Sequence, residues 1–257
     1  MSTTRWISAG VMVMVAAAWA PSLSAQADEI QVYDGGLAAP GVFNITLHNN
    51  FTARGIATPA FDGAVVPDGS LNGVPEWAYG VNDWLEVGLY LPLYSADSDH
   101  GFGVNGVKLR TLFAVPNAAD RFFFYGLGIE YSFNAKHWDP EFFTSEIRPI
   151  IGWHFRPVDL IFNPILGTAY DSFGNMEFSP SARLAYNASD TWAFAVEEYA
   201  DFGPLNGLYG SSDQAHQLFG VVDYVGSAME VQFGVGFGLT DSADALNFKL
   251  ILSKDLN

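Results

Sequence analysis

Residues 122–134 read FFFYGLGIEYSFN. One parity of this stretch is Phe123, Tyr125, Leu127, Ile129, Tyr131 and Phe133. The other is Phe124, Gly126, Gly128, Glu130, Ser132 and Asn134. Successive side chains of a β-strand point to opposite faces. A strand here has a wall of large apolar groups on one face and small or polar groups on the other. A sheet with hydrocarbon outside and water inside needs that pattern, and the membrane β-barrel is such a sheet.

The same alternation recurs along the chain. Phe43, Ile45 and Leu47 alternate with Asn44, Thr46 and His48; Leu85, Val87, Leu89 and Leu91 alternate with Glu86, Gly88 and Tyr90. Val231, Phe233, Val235 and Phe237 alternate with Gln232, Gly234, Gly236 and Gly238, and Leu246, Phe248, Leu250 and Leu252 close the set. Twelve strands are expected, at 42–50, 74–81, 84–93, 103–115, 122–134, 143–155, 158–170, 175–187, 191–201, 214–224, 229–240 and 245–253. In 214–224 either parity could face lipid. Short links (82–83, 116–121, 156–157, 188–190, 225–228) alternate with longer ones (51–73, 94–102, 135–142, 202–213, 240–244), although 171–174 is short for its set. Bacterial outer-membrane barrels are built this way, with the short turns and both termini toward the periplasm. The expected fold is all-β, a closed antiparallel transmembrane barrel of about 12 strands.

Pro149, Pro164 and Pro180 fall in three consecutive strands, on the lipid-facing parity. Proline cannot donate to a ladder, so bulges or strand ends are expected there.

Composition agrees with this reading. Charged residues make up 15% of the 257, against about 25% in ordinary soluble domains. The rival is a soluble barrel or sandwich, whose outer face would be richly charged. Here the polar face is Gly, Ser, Asn and Thr with few charges, and the other face would need burial. Beyond the N-terminus no apolar run reaches 18 residues, which excludes a helical membrane protein.

The N-terminus reads as a cleaved secretory signal over 1–27. Arg5 supplies the positive charge, 7–20 the apolar segment, and Ala25-Gln26-Ala27 the small-residue site. Cleavage is expected before Asp28. That leaves 28–257 as the barrel unit, with 28–41 as a periplasmic lead-in. The chain has no cysteine, which excludes disulfides, thiolate metal sites and a cysteine nucleophile. Its formal net charge of −17 argues against nucleic-acid partners. No cofactor and no metal centre is expected.

Several segments carry a resemblance. They are Phe43-Asn44-Ile45-Thr46-Leu47-His48-Asn49-Asn50, Glu76-Trp77-Ala78-Tyr79-Gly80, Leu89-Tyr90-Leu91-Pro92-Leu93 and Glu146-Ile147-Arg148-Pro149. Together they resemble an outer-membrane family of Gram-negative bacteria often labelled for the meta-pathway of phenol degradation, or simply as a transporter. The likeness covers most of the expected mature chain and rests on fold signatures. It implies an outer-membrane barrel and passage of small aromatic or apolar solutes. It also implies contact with outer-membrane lipid, lipopolysaccharide and the barrel-assembly machinery. Many such barrels end in an aromatic residue, whereas this chain ends Lys254-Asp255-Leu256-Asn257.

The candidate site is a charged lumen. Lys108, Arg110, Glu130, Glu146, Arg148, Glu177, Arg183 and Glu197 all lie on the inward parity. An Arg or Lys facing lipid at the midplane costs roughly 2–4 kcal/mol, so inward placement is expected. These groups could form a constriction that selects solutes by charge and size. They could also form an ion-pair network that fills the lumen and braces the barrel, and such a network can itself define a pore. Gly126, Gly128, Gly234, Gly236 and Gly238 point inward and leave room for a cavity or for bulky groups opposite. Trp77, Trp84, Tyr94, Trp138, Trp153 and Trp192 suit the membrane interfaces. Acidic loop residues (Asp97, Asp99, Asp139, Glu141, Asp201, Asp213, Asp241, Asp244) are read as solvated, with divalent-cation bridging as the alternative.

The five histidines (His48, His100, His137, His154, His216) are dispersed, and no G-x-S-x-G motif occurs. Three functions are therefore open. The first is a passive channel or binding barrel for small solutes, the second a closed structural barrel, and the third a lipid-directed enzyme.

Overall fold

The computed structural model describes residues 29–98 and 101–257. The expected signal segment, its cleavage point, Asp99 and His100 lie outside the described residues. The strands are β1 (Phe43–Arg54), β2 (Leu71–Asn82), β3 (Leu85–Asp97), β4 (Gly101–Ala114), β5 (Phe123–Asn134) and β6 (Phe143–His154). Two interrupted strands follow, β7 (Val158–Asn163 and Leu166–Thr168) and β8 (Glu177–Phe178 and Ser181–Asn187). The set ends with β9 (Trp192–Asp201), β10 (Ala215–Val225), β11 (Glu230–Gly238) and β12 (Leu246–Asp255). Each strand pairs antiparallel with the next, and β1 pairs with β12. Twelve strands therefore close into a ring with no free edge, as hydrocarbon requires.

Observed strands on the long-loop side run further than the alternation suggested. β1 continues to Arg54 and β3 to Asp97, because their pairing persists past the last apolar position. The outer wall is Phe43, Trp77, Leu109, Tyr125, Leu184, Phe194, Phe233 and Phe237, all exposed. Aromatic pairs sit near both rims. Trp84 stacks on Phe113 and Trp192 meets Tyr224 at the short-turn end; Tyr94 with Phe102 and Tyr131 with Phe143 and Tyr170 mark the long-loop end. Such belts hold a barrel at its depth in the bilayer.

The face of β10, open from sequence, is fixed by its neighbours. Phe219 stands opposite Glu197 on β9 and Gly236 on β11, and Val221 opposite Ala195. Phe219 and Val221 are buried inside, and Leu218 and Tyr224 face out.

The three prolines line up. The register pairs Ile147 with Leu166 and Ile151 with Phe162, so Pro149 faces Pro164. Asn163 pairs with Ser181 and Leu166 with Phe178, so Pro164 faces Pro180. β7 and β8 break at their prolines, as expected. β6 does not, because Pro149 keeps its place opposite Leu127 of β5. The ladder between β6 and β7 is interrupted beside it instead.

Residues 29–40 depart most from expectation. They were expected as a periplasmic lead-in but run inside the barrel, with Ile30, Val32 and Tyr33 buried. Gly41, at φ 83°, turns the chain at the short-turn rim into β1.

Candidate functional site in the barrel lumen

The inner segment is held by its own apolar pattern. Val32 and Tyr33 pack with Leu112, Phe124, Ile150 and Ile161 from β4 to β7. Ile30 packs with Ala185, Ala195, Phe219 and Val221 from β8 to β10. The segment thereby gives the lumen two small hydrophobic cores. It then turns at Gly35, where φ is 78° and the Asp34 side chain accepts from the Gly36 amide at 2.9 Å.

Its backbone is bonded to the wall. The Tyr33 amide donates to Asn163 Oδ1 at 2.7 Å, and Asn163 Nδ2 donates to the Tyr33 carbonyl at 3.0 Å. The Ala38 amide donates to Glu86 at 2.6 Å. Lys249 Nζ donates to the Ile30 carbonyl at 3.2 Å, and Arg148 Nη1 to the Gln31 carbonyl at 3.1 Å.

Two charged clusters flank this segment. In the first, Arg110 pairs with Glu76 and Glu86. Lys108 lies 3.4 Å from Glu130. The Tyr33 hydroxyl donates to Glu130 at 2.9 Å, and the Tyr90 hydroxyl, 2.9 Å from that of Tyr33, must then donate to it. Arg148 donates to Glu146 at 2.7 Å and lies 3.5 Å from Glu29. Its guanidinium also covers the Tyr33 ring, 4.1 Å from the centroid. In the second cluster, Glu197 accepts from Arg183, Lys249 and the Tyr199 hydroxyl, and Arg183 also binds Asp223. Gln232 donates to Asp223 at 2.8 Å and accepts from Lys249 at 2.9 Å. A buried ion costs several kcal/mol unless partners satisfy it. These partners come from four or five strands each.

Lys108, Arg110, Glu130, Glu146 and Arg148 thus gather in one cluster, and Arg183 and Glu197 in the other. Glu177 joins neither. It sits exposed at the long-loop rim, in a bridge to Pro204, because six residues of strand, roughly 20 Å, separate it from Arg183. Sequence reading missed Glu76, Glu86, Tyr90, Asp223 and Lys249 as members, and with them Glu29 and Tyr33. Lys249 carries the inward parity of β12, so it was findable; Asp223 waited on the face of β10.

The inward glycines are occupied by neighbours. A Cβ on Gly236 would lie 2.3 Å from the Phe219 ring, and one on Gly152 2.0 Å from the Phe124 ring. Each ring lies across a glycine on the next strand. At Gly234 the Lys249 stem fills the space, 2.9 Å away.

The four described histidines have separate partners: His48 with Glu76, His154 with Asp159, His137 with Asn105 and His216 with Glu198. Among the described residues no group of three acidic or histidine side chains is placed to hold a metal ion.

Each mouth has its own structure. At the long-loop end, loop 55–70 bonds through the Ile56 amide to Asp244 at 2.9 Å and through the Val65 amide to the His137 carbonyl at 3.0 Å. Those anchors lie in the β11–β12 and β5–β6 loops, so the loop crosses the opening. Burial holds the Asp244 carboxyl above its usual range, despite the Ile56 bond. Burial also pushes Tyr209, in the β9–β10 loop, up to about 12. At the short-turn end a cavity of about 800 Å³ enters between residues 31–39 and the wall, reaching from Ser227 and Asp255 at the rim to Glu76 and Arg110.

No family model matches the chain, and no curated protein matches it. Solved structures do. An outer membrane channel from Pseudomonas putida F1 is similar over 89% of this chain and 100% of its own, at 12% identity and a TM-score of 0.58. The NanC porin is similar over 82% of this chain and 97% of its own, at 8% identity and a TM-score of 0.51. At these identities the likeness is one of fold. The chain has the fold of bacterial outer-membrane β-barrels and the greasy wall that such a location demands.

Proposed function

We infer that this chain is a passive outer-membrane channel for small solutes, narrowed by its own N-terminal segment. The cavity at the short-turn end carries the reading. It is continuous from the rim to Glu76 and Arg110 and is lined largely by polar groups, among them Asn44, Thr46, Gln232 and Ser253. A barrel that served only as a brace would have no need of it. The two similar structures, an outer membrane channel and a porin, point the same way. The resemblance at residues 43–50, 76–80, 89–93 and 146–149 supports aromatic or apolar solutes, whereas the lumen chemistry favours solutes that form hydrogen bonds.

Liposome swelling with the refolded chain tests both. Swelling in small sugars or amino acids is the expected result. Exclusion of every solute from glycerol to benzoate would defeat the channel reading. The second reading, a closed structural barrel, is favoured by the multiply paired state of Arg110, Arg148, Arg183 and Lys249. It predicts swelling only after Arg110, Arg148 or Arg183 is neutralised. A lipid-directed enzyme would reveal itself in a thin-layer assay of phospholipid and lipid A turnover.

A further inference from the structure

The cavity at the short-turn end is unevenly charged. Its lining holds six carboxylates and three cations. Two of the cations, Arg110 and Arg183, are each already flanked by two carboxylates, Glu76 with Glu86 and Glu197 with Asp223. The third, Lys254, stands opposite Ile45 on β1 and so takes the outward parity. Three lining carboxylates remain, Asp34, Glu230 and Asp255, and among the described residues none of them pairs with a cation. Asp34 sits at the turn of the inner segment and accepts from the Gly36 amide. Asp255, at the rim end of β12, accepts from Asn44 Nδ2 at 2.9 Å. Glu230 opens β11 opposite Ser253, which puts it on the inward parity beside Asp255. All three are exposed to the water of the mouth. Asp34, Asp255 and Asp223 each repel Glu230, so carboxylates from the inner segment, β10, β11 and β12 act on one space. Such self-repulsion opposes folding, and neither Asp34 nor Glu230 offsets it with a bond to another strand.

We propose that Asp34, Glu230 and Asp255 make this mouth selective for cations, with small organic amines as its solutes. The proposal rests on the channel reading and names the solute class. A cleft lined by one sign of charge within low-dielectric walls concentrates counter-ions about tenfold or more, and rings of Asp and Glu select cations in other pores. An ammonium group has three donors and no acceptor, which suits a lining of carboxylates with the Thr46 and Ser253 hydroxyls among them. The cavity of about 800 Å³ has room for an organic ion, and Ala78, Leu112 and Ile251 in its lining suit a methylene stem. An anion of the same size would pass three unpaired carboxylates before meeting Arg110, whose charge is already matched.

The test uses the refolded full-length chain with putrescine as the organic probe. In planar bilayers under a KCl gradient, the zero-current potential reports the preference between K⁺ and Cl⁻. Proteoliposome uptake compares labelled putrescine with succinate, a dianion of similar length, and equilibrium dialysis reports putrescine retained by the barrel. K⁺ should be favoured about tenfold at low salt, and less in molar salt, where screening shortens to about 3 Å. Putrescine should enter faster than succinate. The combined variant Asp34→Asn, Glu230→Gln and Asp255→Asn keeps every acceptor and should lose most of both preferences. Asp83→Asn with Asp120→Asn, exposed at the same end but off the lining, should leave them unchanged. Heat-modifiable migration on gels confirms that each barrel has closed. Equal passage of K⁺ and Cl⁻, a preference for Cl⁻, or a cation preference that survives the combined variant would overturn the proposal and leave the channel reading intact. Cation preference with exclusion of putrescine would overturn the assignment to amines. Retention of putrescine without conductance would support the cation-binding mouth and defeat the channel reading instead.

Discussion

The side-chain amide of Asn163 grips the backbone of Tyr33 at two points, receiving from its N–H and donating to its C=O. A strand would offer the same pair of bonds, so one asparagine does the work of a thirteenth strand for the segment inside the barrel. Removing it strands two buried backbone groups. Asn163→Ala is expected to cost about 1–3 kcal/mol and to raise the swelling rate by loosening residues 29–40. Urea unfolding in detergent and swelling with arabinose check the two parts separately. Unchanged stability would mean that the apolar contacts of Val32 and Tyr33 hold the segment without the amide.

Glu197 is the centre of the second cluster. Glu197→Gln removes the charge while Arg183 and Lys249 remain buried, and breaking such a pair typically costs about 3–5 kcal/mol. The double variant Glu197→Gln with Lys249→Met should recover part of the loss, since it removes one of the two stranded cations. The unfolding midpoints of the single and double variants measure it.

The ring-over-glycine contacts predict intolerance of a single methyl group. Gly236→Ala and Gly152→Ala should each destabilise by about 1–3 kcal/mol through overpacking. Gly236→Ala combined with Phe219→Leu should be less harmful than the sum of the two, and a double-mutant cycle reads the coupling. Additive values would show that the ring has somewhere else to go.

Leu184 faces outward from β8 and is 54% exposed, while its neighbour Ala185 faces the lumen and is buried. Leu184→Arg should cost about 2–4 kcal/mol if the position lies near the bilayer centre. Refolding yield and midpoint in thin-chain lipid vesicles provide the measure. A neutral outcome would place β8 outside the hydrocarbon zone.

Asp244 makes the loop anchor sensitive to pH. Its folded carboxyl is held above its free value by burial, so the closed loop favours the protonated form. The contribution is full below the free value, about 3.9, and is lost as pH rises through the folded one. Asp244→Asn keeps an acceptor for the Ile56 amide and should remove that part of the dependence. Protease cleavage within 55–70, compared between pH 4 and 7 in both proteins, should change less in the variant.

Much of the barrel could be read from side-chain alternation, and the reasons for the gaps are physical. Residues 122–134 declare their two faces because lipid tolerates no charge and the interior tolerates almost anything. The tolerance of the interior is also why the lumen was read less well. Phe219 and Val221 point inward into the small core around Ile30, so both faces of β10 carry large apolar groups and its face was undecidable alone. Tyr33 and Glu29 were missed because 29–40 has no periodicity; its order comes from contacts more than a hundred residues away, such as that to Asn163. Glu177 had the right parity but the wrong height, and alternation carries no information about depth. Lys249 was legible by parity and was overlooked beside the apolar residues that flank it.

Glu29 lies within the bore, and β1 begins only after the chain has come down to the rim at Gly41. A bulky label coupled at position 29 would have to share space with Arg148 and Glu130. The stretch after β12 imposes no such conflict, because Leu256 and Asn257 are exposed at the rim. A fluorophore therefore belongs at Leu256, where it leaves the bore undisturbed.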